Sequence, residues 1–388
     1  MMMIDSSKTR LPSGFIRLGE ALPVDVYHKS GILLLKKGHY VLSPEQRALL
    51  ASAGESERSE VDALLEQERE RRELAERQNL RNRIAEARQP NPLTEYEFLL
   101  RRSEGLLLHG LALPDLLAGL QAVAAGVQEL AQRQPDGLIA AMLLVPGREQ
   151  VTAHALRVAV LLALAGKRMQ LAASELEALC GAGLTMNIAI TPLLVRLGGQ
   201  LDTLTEPERE AILAHPIVSS AILREAGLSD ELWHLLVQTH HEVADGSGYP
   251  QGLQGDDVPA LARLIALADV LDEQISVLRV LPAQALAALF RKPDARFDPA
   301  QVSLLVKELG IYPPGSFVRL ASGEIAVVTF RTERANAPRV AALRKENGPP
   351  YAEPLLRETR QSAWRIIDAV PAGLALVKPG FLLRLWQR

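Results

Sequence analysis

His240 and His241 stand side by side and lead into Glu242-Val243-Ala244-Asp245-Gly246-Ser247-Gly248-Tyr249-Pro250-Gln251-Gly252-Leu253. Adjacent histidines at the end of a helical stretch can aim two imidazoles at one point, and neutral imidazole is a good ligand for divalent Zn, Fe, Ni or Mn. The glycines that follow suit a tight turn, with Gly246 and Gly248 free to take positive φ. Asp269 is the second chemical signal. It sits in the apolar run Ile265-Ala266-Leu267-Ala268-Asp269-Val270-Leu271-Asp272, where a buried carboxylate is costly unless it is paired or bound to a metal. Asp272, one turn away on the same face, could belong to that pairing instead. Taken alone, His154 reads as an ordinary helix residue. His215 precedes Pro216, which pushes the backbone out of the α region, so a capping role competes with ligation there. His234 reads as structural or solvent-facing.

The elements that must position these groups are mostly helical. Apolar residues recur at helical spacing through residues 93–310, with helices expected near 114–133, 150–168, 174–190, 206–225, 230–241, 259–280 and 298–309. Residues 11–54 read differently. Val24-Asp25-Val26-Tyr27 and Ile32-Leu33-Leu34-Leu35 flank a turn at Gly31 as a hairpin, and Ser43-Pro44 starts a short helix with Ser43 as N-cap. Residues 55–90 are dense in Glu and Arg, with pairs such as Glu66–Arg69 and Glu73–Arg77 at helical neighbour spacing. They suit a solvated connecting helix that ends at Pro90 and Pro92. A coiled-coil arm forming a homodimer is the alternative, and sparse heptad apolar residues weigh against it. After Pro313-Pro314-Gly315 the period changes. Phe317–Leu320 and Glu324–Phe330 read as a hairpin, and 340–343 as a further strand.

The expected fold is mainly α, a helical bundle with small β-rich units at both ends. Its divisions are 1–54, a charged helical linker over 55–92, the bundle over 93–310, and a C-terminal extension over 311–388. The 388 residues are 48% hydrophobic but only 4% aromatic, so the core rests on Leu, Ala, Val and Ile, a helix-leaning choice. A net charge of -3 gives no basic excess for nucleic acid or a membrane surface. One cysteine, Cys180, excludes an internal disulfide and fits a reducing, cytoplasmic compartment. No stretch approaches the ~20 apolar residues of a membrane span.

The run from His240 to Leu253 closely resembles the signature of the HD-GYP family, metal-dependent phosphohydrolases of the second messenger cyclic di-GMP. The resemblance covers roughly residues 150–335. Matched in order, it places metal ligands on His154, His215, His240, His241 and Asp269. It places the name-giving loop, associated in that family with contacts to diguanylate cyclases, on Gly248, Tyr249 and Pro250. An HD-domain-like bundle is the implied fold. Cyclic di-GMP is the implied ligand, and a diguanylate cyclase or other signalling protein the implied partner.

The chain departs from the pattern at its centre. Where the family carries a His-Asp pair followed by a lysine, this chain has Met186, Asn187 and Ile190. Thioether sulfur is a poor ligand for hard or borderline ions, and a neutral amide cannot balance two dications as a bridging carboxylate does. A carboxylate one turn before the first histidine falls on Gln150, with Glu149 one step away. In the phosphate-contacting stretch after Asp269 only Arg279 is basic. Two ions ~4 Å apart, as two-metal catalysis requires, are not expected. One transition metal (Fe, Mn, Ni or Zn) remains chemically reasonable. The alternative is none, with the histidines satisfying one another and Asp269. The reading that follows is a degenerate, non-catalytic regulator acting by protein or nucleotide binding. The alternative is an active phosphodiesterase with a variant mononuclear site.

Overall fold

The structure is a computed structural model that describes residues 7–85, 91–198, 204–291, 296–377 and 379–386. Pro90 lies outside the described residues, and the Glu73–Arg77 pair outside the described side chains.

The N-terminal unit pairs four short strands, β1 (Lys8–Arg10), β2 (Val26–His28), β3 (Leu33–Leu35) and β4 (Gly54–Glu57), in the order β1-β4-β2-β3. The expected hairpin is β2 and β3, with Gly31 at φ 84° in its turn. Strand β4 carries this sheet past residue 54, and α1 (Pro44–Ala53) runs into it. Ser43 caps α1 by accepting from the Gln46 amide at 3.1 Å. Helix α2 (Arg58–Ala85) carries ion pairs between Arg69 and Glu73 and between Arg72 and Glu68.

The bundle begins at Pro92, which opens a helix rather than ending one. It is the first residue of α3 (Pro92–His109), where its missing N–H has no helical partner to lose, and the Asn91 side chain caps the Leu93 amide. There follow α4 (Leu116–Arg133), α5 (Pro135–Leu144), α6 (Gln150–Met169), α7 (Ala173–Thr185), α8 (Thr191–Leu197) and α9 (Glu206–Glu225). The bundle closes with α10 (Glu231–Thr239), α11 (Ala260–Asp272), α12 (Pro282–Arg291) and α13 (Pro299–Leu309). Helix α6 is the axis. It is buried on nearly every face from Ala155 to Gly166 and packs against α3, α4, α5, α7, α8, α11 and α13.

Three expected helices end early. The 174–190 helix stops at Thr185, and residues 186–190 form a turn closed by the Asn187 carbonyl, which accepts from the Ile190 and Thr191 amides. The 259–280 helix stops at Asp272 and passes into a π-helical turn, Glu273–Val277. Helix α10 ends at Thr239, so His240 is its C-cap and His241 lies beyond it.

The C-terminal unit is a five-stranded antiparallel sheet, in the order β8-β7-β6-β5-β9. It contains β5 (Phe317–Leu320), β6 (Glu324–Phe330), β7 (Arg339–Lys345), β8 (Pro350–Glu358) and β9 (Ile366–Val370), followed by α14 (Pro379–Leu382). The hairpin and third strand are where the sequence placed them. The edge strands β8 and β9 are additional; β8 carries Pro354 and alternating charge, which give little periodic signal.

One glycine shows how closely the bundle is packed. A Cβ at Gly181 would lie 2.1 Å from the ring of Trp233. That ring is 1% exposed and pinned by its Nε1–H to Thr185 Oγ1 at 2.9 Å, so it cannot step aside. Gly→Ala in a helix normally stabilises by about 1 kcal/mol. Gly181→Ala is expected to reverse that sign and cost about 1–3 kcal/mol through overpacking, read as a lower urea midpoint. Cys180 is buried and free. Among the described residues no helix is long and apolar enough to cross a membrane.

Candidate metal centre

Three histidines from two helix systems converge. His215 projects from α9, and His240 and His241 from the end of α10. One ring nitrogen of each lies within 4.8 Å of the others. Their ring centroids are 4.1 to 5.1 Å apart.

The local backbone fixes which nitrogens face inward. Helix α9 continues through Pro216 instead of kinking out of the α region at His215. Proline has no N–H, so the carbonyl of Ile212, four residues earlier, loses its helical donor. His215 Nδ1 donates to that carbonyl at 2.5 Å. At His240 the same result comes from the helix end, where the last carbonyls lack partners, and Nδ1 donates to Val237 at 2.7 Å. A carbonyl only accepts, so both Nδ1 atoms carry the proton. Both Nε2 atoms then present lone pairs, and they face each other at 3.1 Å.

That arrangement calls for an electrophile between them. A proton is disfavoured. Burial holds His215 down at about 3, helped by the charge of His241, and holds His240 well below the usual imidazole range for the same reasons. Burial also lowers His241, against the opposing charge of Asp269. A divalent ion with metal–nitrogen bonds of ~2.0–2.1 Å places neighbouring donors about 3 Å apart, so the donor set fits one.

The loop that follows is tied to the same point. Tyr249 stacks on His241, with centroids 4.6 Å apart and planes at 21°, and Pro250 is exposed. Burial, then the charge of Asp269, pushes the Tyr249 hydroxyl up. Gly246 takes φ 82° as expected. Gly248 does not need positive φ. Its requirement is close approach, since a Cβ would lie 2.4 to 2.6 Å from the backbone of residues 241–243.

Glu242, which the sequence reading passed over, holds the loop. Its carboxylate is 2% exposed and accepts from the amides of Gln251 at 2.6 Å and Leu253 at 2.9 Å. Its signal was its position beside a glycine-rich turn whose buried N–H groups need acceptors. Glu242→Gln turns an NH2 toward one of those amides. We expect a loss of about 1–3 kcal/mol and faster amide exchange at Gln251 and Leu253.

The three histidines lie within a segment that is similar to known proteins. Residues 139–301 match the HD domain family. The cyclic di-GMP phosphodiesterase PA4108 of Pseudomonas aeruginosa is 29% identical over 199 residues, covering 50% of this chain and 48% of that protein. The cyclic di-GMP phosphodiesterase response regulator RpfG of Xanthomonas campestris is 36% identical over 111 residues, covering 27% and 29%. These matches support the HD-GYP family for the segment that holds the triad. It spans about half the length of PA4108 and less of RpfG. Among solved structures, Bd1817, a HDG"Y"P protein from Bdellovibrio bacteriovorus, is similar at TM-score 0.47 and 15% identity, over 77% of this chain and 98% of that one.

The other HD-GYP positions fall into two groups. His154 and Asp269 lie beside the triad and bind each other. His154 Nε2 donates to Asp269 at 2.7 Å and Nδ1 donates to Asp272 at 2.8 Å. Asp272 also accepts from Arg157 Nε at 2.7 Å and from the Ser276 hydroxyl at 3.0 Å. Burial disfavours a charged His154, but its two carboxylate partners outweigh that and push it up to about 10. Burial likewise works against Asp272, yet His154 and Arg157 hold it low. In this arrangement His154 has both nitrogens protonated and offers no lone pair. The structure therefore joins His215, His240 and His241, and sets His154 and Asp269 apart as an ion pair at their edge. The sequence had noted Asp272 as an alternative partner; Arg157, one turn from His154, went unnoticed.

The second group is Met186, Asn187 and Ile190, where the sequence departs from the HD-GYP pattern. Met186 is 1% exposed within the apolar core, Asn187 is half-buried, and Ile190 is 5% exposed in a separate apolar cluster. Glu149 and Gln150 stand at the start of α6, and Arg279 is exposed at φ 57°. His234 is structural, bonded to Ser220 and to the Leu228 carbonyl.

Proposed function

We propose that this chain is a non-catalytic HD-GYP protein of cyclic di-GMP signalling. It holds one divalent transition metal on His215, His240 and His241 and acts by binding the nucleotide or a signalling protein. The observation that carries the reading is the pair of opposed Nε2 lone pairs in a buried, neutral histidine cluster. The relatives named as cyclic di-GMP phosphodiesterases support the choice of nucleotide.

The absence of catalysis follows from the donor count. A second ion would need carboxylate donors, and Met186 and Asn187 supply none. Bound metal would supply charge for a nucleotide phosphate. The chain's own residues would orient it, with Tyr249 forming a ring surface beside His241 and Pro250 carrying the loop to the exterior. That loop is the proposed partner contact.

A second reading keeps activity. Asp269, 23% exposed and close enough for its charge to act on His215 and His241, could serve as a further acidic group at a mononuclear centre. The two separate in one experiment. The metal-loaded protein is titrated calorimetrically with cyclic di-GMP, and the same mixture is chromatographed for linear product. Binding without product is expected. Multiple turnovers would select the second reading, and no binding would leave the protein-partner role alone.

A further inference from the structure

The N-terminal unit is seated against the segment that connects α7 to α9. A Cβ on Gly19, at φ 76°, would lie 3.0 Å from Ala189. Tyr40 is 7% exposed and packs with Ile190, Leu193 and Ala211, with Ile212 against the same cluster. Arg196 donates to the Tyr40 hydroxyl at 3.0 Å and to Glu208 at 2.9 Å. Arg47 of α1 pairs with Glu225 at the far end of α9. The Ala189 amide donates to Ser219 Oγ at 3.2 Å. Contacts from or next to the N-terminal unit thus bracket His215 along α9.

Ile212 links the two sides. Its side chain belongs to the cluster that receives Tyr40, and its carbonyl holds His215 Nδ1. Movement of the N-terminal unit off this face would remove packing from the residue that fixes the His215 tautomer. We propose that the N-terminal unit is a built-in regulatory element, and that its docking on α8 and α9 tunes the triad's affinity for metal. The affinity arm rests on the metal site proposed above; the docking arm does not.

The test uses the full chain with Tyr40→Ala, and with Arg47→Glu alone and combined with Glu225→Arg. Hydrogen exchange is followed over residues 206–216, and Zn affinity is measured by chelator competition. We expect Tyr40→Ala and Arg47→Glu each to speed exchange in that segment and weaken Zn about 10-fold, the scale of an outer-shell change at a metal site. The combined charge reversal is expected to restore both. Unchanged exchange, or faster exchange with unchanged Zn affinity, would overturn the proposal. If the unaltered protein binds no Zn, the preceding reading fails, and the docking claim stands or falls on exchange and its rescue.

Discussion

His240→Ala is expected to abolish stoichiometric metal binding, lowering affinity by more than the ~10–100-fold that loss of an outer-shell partner costs. His240 supplies one of the two opposed Nε2 atoms, and its orientation is set by Val237. With the ring gone, His215 and His241 remain as two donors, too few for a structural or catalytic site of the usual kind. His234→Ala is the matched control. It removes a histidine that is just as buried and lies on the same helix, but one bonded to Ser220 and Leu228 rather than aimed into the cluster. It should lower stability and leave metal stoichiometry intact. Both are read by metal analysis after dialysis and by thermal unfolding. Equal metal loss in the two variants would show a general loosening of the bundle instead of a specific site.

Gly248→Ala is expected to be the most damaging single change in the loop. Its Cβ would meet Val243 N at 2.4 Å, Glu242 Cα at 2.5 Å and the His241 carbonyl at 2.6 Å. All three are backbone atoms, so no rotamer change relieves the clash. They also belong to the residues that present His241 and the Glu242 carboxylate. Overpacking of this kind costs about 1–3 kcal/mol or more, and here it displaces the Tyr249 stack as well. Cyclic di-GMP affinity measured by calorimetry should fall at least 10-fold, with faster exchange confined to residues 241–253. Gly323→Ala, at a turn where a Cβ meets nothing within 4 Å, gives the comparison for a strained glycine away from the site. Similar nucleotide affinity for the two variants would remove the loop from the binding surface.

The parts of this architecture visible in the sequence are those written in periodicity and punctuation. Helices α4, α6, α9 and α13 follow apolar spacing and carry recognisable starts, such as Thr205 with Glu208 and Asp298 with Pro299. The order of His215, His240 and His241, with the glycine turn behind them, pointed to a shared site. What stayed hidden was decided by tertiary partners. Pro216 reads locally as a kink within the expected 206–225 helix, yet α9 stays helical around it, and the carbonyl it frees becomes the anchor of His215. Residues 186–190 have helical periodicity, but docking of Gly19 on Ala189 and of Tyr40 on Ile190 accompanies a turn there. The pairing of His154 with two aspartates depends on α6 lying beside α11, a contact that no local spacing reveals.

His154 and Arg157 face Asp269 and Asp272, two cations against two anions, in a largely buried network. Removing one partner from such a buried pair is strongly destabilising, because it leaves an uncompensated charge. Burial, not this network, keeps the neighbouring triad neutral and suited to a dication.

The measurement that bears most directly on the central claim is the metal content of the purified, dialysed protein. One equivalent of divalent transition metal per chain is expected. Two equivalents would show a second ion held despite Met186 and Asn187, and none would show that the opposed imidazoles share a proton instead of a metal.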